Sequence, residues 1–188
     1  MRSIDCNGTR SDVASMARGV VLEIGFGSGY NLPFYKNIEM LYALEPSSPL
    51  YTLAQERIAA VSFPITHLKN SAEQIPLPDN TIDTVVSTWV LCSISDVPKA
   101  LREIARVLKP GGTFIFIEHG GSPNTFLKRI QTLATPFTKR LAGNCHLDRK
   151  IDSLISEAGF EFTDLQMSQE SGRPLMFSYR GTAVKNPN

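Results

Sequence analysis

The sequence is poor in cysteine, in net charge and in long apolar runs, and each shortage removes a class of protein. Three cysteines, Cys6, Cys92 and Cys145, stand far apart among 188 residues. They form neither a zinc pattern nor an obvious disulfide set, which points to a reducing cytoplasm and to no bound metal. Nineteen Lys plus Arg stand against eighteen Asp plus Glu, a net charge of +1. That balance gives no electrostatic ground for a nucleic-acid partner. No apolar stretch approaches the ~18 residues of a membrane-spanning helix, and the first residues lack the apolar core of a secretion signal. The tripeptide Asn7-Gly8-Thr9 therefore carries no glycosylation reading. Repeats and low-complexity segments are absent as well. What is present, 42% hydrophobic and 20% charged residues, suits a single ordinary domain with a real core.

The informative stretch is Val20 to Gly29, Val-Val-Leu-Glu-Ile-Gly-Phe-Gly-Ser-Gly. Its apolar start reads as a buried parallel strand. Gly25, Gly27 and Gly29 then allow positive φ and a close approach of backbone to ligand. A strand running into a glycine turn is how doubly wound α/β proteins build a nucleotide site. A dinucleotide fingerprint, G-x-G-x-x-G, would place its third glycine at position 30, which is Tyr30. The sequence offers G-x-G-x-G, with Glu23 two residues before the first glycine. A carboxylate there suits an ammonium group better than a pyrophosphate.

That variant resembles motif I of the class I S-adenosylmethionine-dependent methyltransferases. The resemblance implies S-adenosylmethionine as methyl donor and S-adenosylhomocysteine as product. It also implies a single-domain α/β Rossmann-like fold, with a seven-stranded, mostly parallel sheet ending in an antiparallel hairpin. Residues 1–18 then form a short N-terminal extension, and 19–188 the methyltransferase domain. The family usually carries a longer helical segment ahead of motif I, so what covers the donor here stays open.

Taken in order, Val13, Met16 and Ala17 offer one short amphipathic turn, and the strand pattern begins at Gly19. Tyr30 to Tyr35 opens a first helix, with Asn31 as cap and Pro33 in its first turn. Met40 to Leu44 is the second strand. Glu45, 20 residues beyond Gly25, stands at the offset where a carboxylate in these folds takes the ribose hydroxyls, with Pro46 beside it. Ser47 or Ser48 caps a helix reaching about Ala60, and Ile65 to Lys69 is the third strand. Asn70 to Asn80 is similar to the family loop that edges and covers the adenine, here through Ser71, Ala72 and Glu73. Ile82 to Thr88 is the fourth strand, whose end, with Thr88, Trp89 and Val90, would face the sulfonium and the acceptor. Asp96 caps a helix with Val97, Ala100, Leu101, Ile104 and Leu108 on one face, stopped by Pro110-Gly111-Gly112. Thr113 to Glu118 is the fifth strand. Phe126 to Phe137 forms an amphipathic helix interrupted by Pro136, and Ile130 and Leu133 read as covering the sheet. Ile151 to Ala158 is a last helix, closed by Gly159. Phe160 to Met167 and Phe177 to Val184 would pair as the final hairpin.

The run from Leu101 to Gly112 matches the L-x-E-x-x-R-V-L-K-P-G-G segment of small-molecule methyltransferases. Gly25 to Tyr35, Val90 to Ser93, and an altered Gly143 to Arg149 are closest to the methyltransferase-like thiol methyltransferases. Quinone C- and phospholipid N-methyltransferases share the first five strands. The resemblance thus implies a small or lipid-like acceptor, a thiol foremost, with transient contact with a membrane surface open and oligomeric state unassigned. The donor-binding set it implies is Glu23, Gly25, Gly27, Gly29, Asn31, Glu45, Pro46, Ser71, Ala72, Glu73, Thr88 and Val90. Methyl transfer from a sulfonium needs alignment and exclusion of water. A base is needed only if the acceptor must lose a proton. His119 and His146 are the catalytic candidates, with Asp148 behind them, and each also has an ordinary structural reading. Trp89, His119 and His146 are expected to face the acceptor. Cys92 can wall that side or merely pack, and His67 has no assigned role. Two other classes remain. A nicotinamide-dependent oxidoreductase is opposed by Tyr30 and by the lack of a Tyr-x-x-x-Lys pair. A catalytically silent cofactor-fold protein draws support from the short segment before Gly19.

Overall fold

The computed structural model describes residues 9–141, 144–170, 172–173 and 175–185. Cys6, Asn7, Gly8 and Gly143 lie outside the described residues. Seven strands make one sheet in the order β3-β2-β1-β4-β5-β7-β6. They are β1 (Arg18–Ile24), β2 (Asn37–Leu44), β3 (Ile65–Leu68), β4 (Ile82–Thr88), β5 (Leu108–Gly120), β6 (Phe160–Gln169) and β7 (Phe177–Lys185). The first five are parallel, and β7 runs antiparallel to both β5 and β6. The expected architecture and its closing hairpin are therefore present.

The helices are α1 (Thr9–Ala14), α2 (Ser48–Thr52), α3 (Gln55–Ala59), α4 (Val97–Val107), α5 (Thr125–Leu141) and α6 (Ile151–Glu157). Strand periodicity divides the core in two. Leu22 and Ile24 of β1 face one cluster with Leu101, Ile104, Phe114 and Ile155. Val21 faces the other, with Val13, Ala17, Leu32, Tyr35, Val86 and Ile117. Residues from α1 are thus part of the core, and Val13, Ala14 and Ala17 are fully buried.

α4 shows how local rules act. Asp96 Oδ1 accepts the Lys99 N–H at 3.0 Å, a side-chain cap, and Ala100, Leu101, Ile104 and Val107 are buried at helical spacing. Its polar face holds the neighbouring loop: Glu103 Oε2 accepts from the Ile75 N–H at 2.9 Å, and Arg106 donates to the carbonyls of Ile75 and Leu77. The Glu-x-x-Arg spacing thus locks the loop that the sequence assigns to adenine.

Several expectations need correction. Only one 3-10 turn, Leu32–Phe34, follows Gly29, because β2 begins already at Asn37. Asn31 makes no cap hydrogen bond there. The helix expected from Ser47 to Ala60 is two short ones broken at Leu53 and Ala54, and Ser47 caps neither with its side chain. α5 runs unbroken through Pro136. Nor does it lie on the sheet as expected: Gln131 and Thr135 are its buried residues, while Leu133 is 75% exposed.

Candidate active site

The order of strands reverses between β1 and β4, where open α/β sheets leave a crevice at their carboxyl ends. A cleft of about 280 Å³ lies there. Its walls are Ile24 and Gly25 after β1, Leu44 to Pro46 after β2, Asn70 to Glu73 after β3, and Val90 and Ser93 to Ser95 after β4. Seven of the expected donor residues, Gly25, Glu45, Pro46, Ser71, Ala72, Glu73 and Val90, border it.

The glycines are not equivalent. All three take positive φ, at +62° for Gly25, +58° for Gly27 and +75° for Gly29. A Cβ on Gly25 would strike the Val90 side chain, and one on Gly29 would press on Leu32, Phe26 and Ala54. A Cβ on Gly27 would meet nothing closer than the Gly25 carbonyl at 3.8 Å. The space above Gly27 is open. Beneath it, Glu45 Oε2 accepts the Gly27 N–H at 2.9 Å, and Oε1 accepts the Ser47 N–H at 2.8 Å. A carboxylate offers about four acceptor sites, so two remain for hydroxyl donors in the cleft. Glu45 is held in place by His67, whose Nε2 lies 2.9 Å from the Glu45 carbonyl and whose ring stacks on Tyr51 at 3.6 Å. His67, unassigned from sequence, thus holds the Glu45 backbone at the end of β2.

Glu23, Asn31 and Thr88 do not border the cleft. They form a buried polar knot behind it. Asn31 Nδ2 donates to Glu23 Oε1 at 2.9 Å and to Thr88 Oγ1 at 3.1 Å, and Tyr35 donates its hydroxyl to Glu23 Oε2 at 2.8 Å. Burial pushes the Glu23 carboxyl up to about 7 against the pull of these donors. Arg10 of α1 completes the knot, donating to Asn31 Oδ1 at 2.8 Å and to Thr88 Oγ1 at 3.2 Å. Its guanidinium also lies 4.3 Å from the centre of the Trp89 ring. Arg10 had no signal in the sequence, because α1 is six residues long and shows a single apolar turn.

Trp89 follows β4 with φ +57°, a strained setting for a residue with a side chain, and its Nε1 is buried with no hydrogen-bond partner. Such an orphan donor beside Val90 fits a bound ligand better than a packed core. The His119 ring stands 6.1 Å away. Its Nε2 contacts Glu170 Oε1 at 3.0 Å, and Glu170 also accepts from Ser178 at 2.7 Å. Cys92 and Cys145 meet His119 here, although they are 53 residues apart in sequence. Contact with the Cys145 thiol, then burial, pushes the Cys92 thiol up, while the same contact holds Cys145 below the usual thiol range. His146 stands elsewhere, in a shallow groove with Thr132, Thr135, Pro136, Lys139, Arg140 and Asn144. Burial and the cations Arg149 and Lys139 lower its basicity. The expected trio of Trp89, His119 and His146 is therefore a pair plus one residue set apart, because the His146 backbone, not its ring, ties to Cys92.

A cleft at the sheet's reversal point, a carboxylate at the end of β2 and an open space above a left-handed glycine form the arrangement expected of the methyltransferase class. Residues 22–116 match the family model of the methyltransferase domain. The chain is 31% identical over 169 residues to the thiol S-methyltransferase TMT1B of Rattus norvegicus, covering 86% of this chain and 66% of that one. It is 25% identical to a phosphatidylethanolamine N-methyltransferase of Cereibacter sphaeroides, over 78% of this chain and 72% of the relative. Among solved structures, the YcgJ protein of Bacillus subtilis superposes with a TM-score of 0.76 at 15% identity, covering 95% and 99% of the two chains. The chain belongs to the methyltransferase-domain family, and its methyl donor is S-adenosylmethionine. It spans about two thirds of the length of the rat relative. Among the described residues no helix is long and apolar enough to cross a membrane.

Proposed function

We propose that this protein transfers the methyl group of S-adenosylmethionine to a small or amphiphilic thiol. The donor supplies an already activated electrophile, so the protein's task is alignment and exclusion of water. Glu45 would take the ribose hydroxyls, with Pro46 beside it, and Ser71, Ala72 and Glu73 would edge the adenine. Gly27 would give the backbone its close approach to the donor, while Gly25 and Gly29 let the turn pack against Val90 and Leu32. Glu23, Asn31 and Thr88 would receive the amino-acid end of the donor through the knot that Arg10 closes. The observation that carries the acceptor reading is Trp89: a strained residue with an unpartnered buried N–H, next to Val90 at the rim of the cleft. Its apolar ring and the polar His119 have the make-up of a small-molecule pocket. A free thiol is already a few per cent ionised at neutral pH, so it asks little of a base. His119 is the catalytic histidine of this reading; His146 keeps a place only at the groove beside α5. The thiol is favoured by the likeness to the rat relative.

A panel of thiols, phosphatidylethanolamine and quinone analogues tests this reading. Thiols should be methylated, and Trp89→Ala should lower turnover while S-adenosylhomocysteine affinity stays within about threefold, under ~0.7 kcal/mol. Methylation of the lipid or the quinone alone would overturn it.

A second observation supports contact with a membrane surface. α5 exposes Phe126, Leu133, Phe137 and Leu141, carries Lys128, Arg129, Lys139 and Arg140, and contains no acidic residue. An apolar face flanked by cations is the pattern of a helix lying on an anionic bilayer. Amphiphilic acceptors would reach the cleft from that surface.

A further inference from the structure

Cys92, His119 and Cys145 come from three separate parts of the chain: the loop after β4, the end of β5 and the segment after α5. All three are buried, and one donor atom of each lies within 4.8 Å of the others. A tetrahedral ion bound to sulfur at ~2.3 Å and to imidazole nitrogen at ~2.1 Å holds its ligand atoms about 3.4 to 3.8 Å apart. Closing the gap asks at most about 1 Å per pair, within the reach of side-chain rotation on a fixed backbone. The backbone is fixed. The Cys92 carbonyl accepts the His146 N–H at 2.8 Å, Glu118 Oε2 accepts the Cys92 N–H at 3.4 Å, and Thr138 donates its hydroxyl to the Cys145 carbonyl at 2.8 Å.

The surroundings also fit. His119 Nε2 is engaged by Glu170, which Ser178 and Arg173 hold in turn, so Nδ1 is the nitrogen left for an ion. A carboxylate on the far side of a ligating imidazole is the usual second support of such ligands. Leu147, Ala134 and Met176 give the sulfurs an apolar surround. Two thiols and one imidazole form a soft donor set that selects zinc over magnesium or calcium. Three protein ligands are one short of a closed structural site, and the short coordination is the one that zinc uses for reaction.

We propose that Cys92, His119 and Cys145 bind a zinc-class divalent ion and leave its fourth position open. Each cysteine loses its proton to solvent as its sulfur bonds the ion. Resting on the thiol reading above, the open position takes the acceptor: its S–H bond breaks, the proton leaves to solvent, and the sulfur lone pair bonds the ion as thiolate. His119 is then a ligand that places the acceptor rather than a base.

Cobalt(II) serves as the probe, added to the full chain kept reduced with a phosphine. One equivalent should bind and give the thiolate-to-cobalt charge-transfer absorption. Cys92→Ser and Cys145→Ser should each diminish that absorption and weaken binding at least tenfold. Glu170→Gln, outside the cluster, should weaken it about tenfold with the band retained, which keeps the test sound if a cysteine variant fails to fold. S-adenosylhomocysteine binding checks folding throughout. Adding mercaptoethanol should shift the visible cobalt bands. Absence of the charge-transfer band in the reduced protein overturns the metal site. A band that no thiol moves overturns the open position. If thiols shift the bands yet are never methylated, the metal site stands and the thiol reading of the activity fails.

Discussion

Gly25 and Gly27 share a left-handed backbone and one short motif, yet a side chain on each would meet a different fate. At Gly25 a methyl group would strike Val90, so that glycine serves packing. At Gly27 the space is empty to 3.8 Å, so no packing contact accounts for that glycine. Gly27→Val should therefore fold, at a cost of about 1–2 kcal/mol for a side chain in the left-handed region, but lose S-adenosylhomocysteine binding in calorimetry. A folded Gly27→Val protein with wild-type affinity would remove the donor from this place. Glu23 gives a prediction in pH. Its folded value of about 7 stands above the 4.5 of an unperturbed carboxyl. Between those values the folded protein holds a proton that the unfolded chain has released. The contribution is thus fully present below pH ~4.5 and is lost as pH rises through ~7, about 3 kcal/mol in all. Glu23→Gln cannot titrate, and the Tyr35 hydroxyl can turn to accept from the new amide. Denaturant melts at pH 5 and pH 7 should show the wild type losing stability relative to this variant as pH rises. A constant difference between the two proteins would mean that Glu23 is ionised throughout.

Among the elements, α5 is the one whose chemistry runs against its position. Its polar Gln131 is buried, donating to the Gly120 and Leu175 carbonyls while accepting from the Ser122 N–H, and its large apolar residues Phe126, Leu133, Phe137 and Leu141 are exposed. Leu133→Glu with Phe137→Glu should leave the melt unchanged within ~0.5 kcal/mol, as exposed positions do. The same pair should abolish co-sedimentation with phosphatidylserine-containing vesicles, and salt should weaken wild-type binding. Equal sedimentation of the two proteins would leave the face without a membrane role. The helix was legible in the sequence but its orientation was not, because 3.6-residue periodicity marks an apolar stripe without saying what covers it. Other elements fared differently for definite reasons. The fourth strand, Ile82 to Thr88, and the Asp96 cap follow local rules and were readable residue by residue. The helix expected after Gly29 fails because only Tyr35 and Lys36 separate the 3-10 turn from β2. The cleft residues were legible since a strand end and a fixed offset define them. Arg10 and the Cys92, His119 and Cys145 cluster were not, because only the pairing of β4 with β5 and the return of the chain after α5 bring them together.

At the scale of the whole molecule, the turns at the sheet's reversal point suit a dinucleotide poorly, and the reason is electrostatic. Pyrophosphate binding relies on free backbone N–H groups and the positive end of a helix after the first strand. Here the chain after Gly29 makes a single 3-10 turn, which offers almost no dipole. The Gly27 N–H is already given to the Glu45 carboxylate at 2.9 Å, so a phosphate would meet a carboxylate where it needs a donor. A ribose with free hydroxyls and a cationic sulfonium meets the opposite: acceptors for its donors and no anion to repel. S-adenosylhomocysteine at about 100 times its dissociation constant should stabilise the fold by ~2.7 kcal/mol. For a chain of this size that is a rise of roughly 5–10 °C in Tm. NAD at the same concentration should leave Tm where it was. An equal rise with NAD would return the site to the nicotinamide-dependent class, and a flat response to S-adenosylhomocysteine would leave the cleft without its donor.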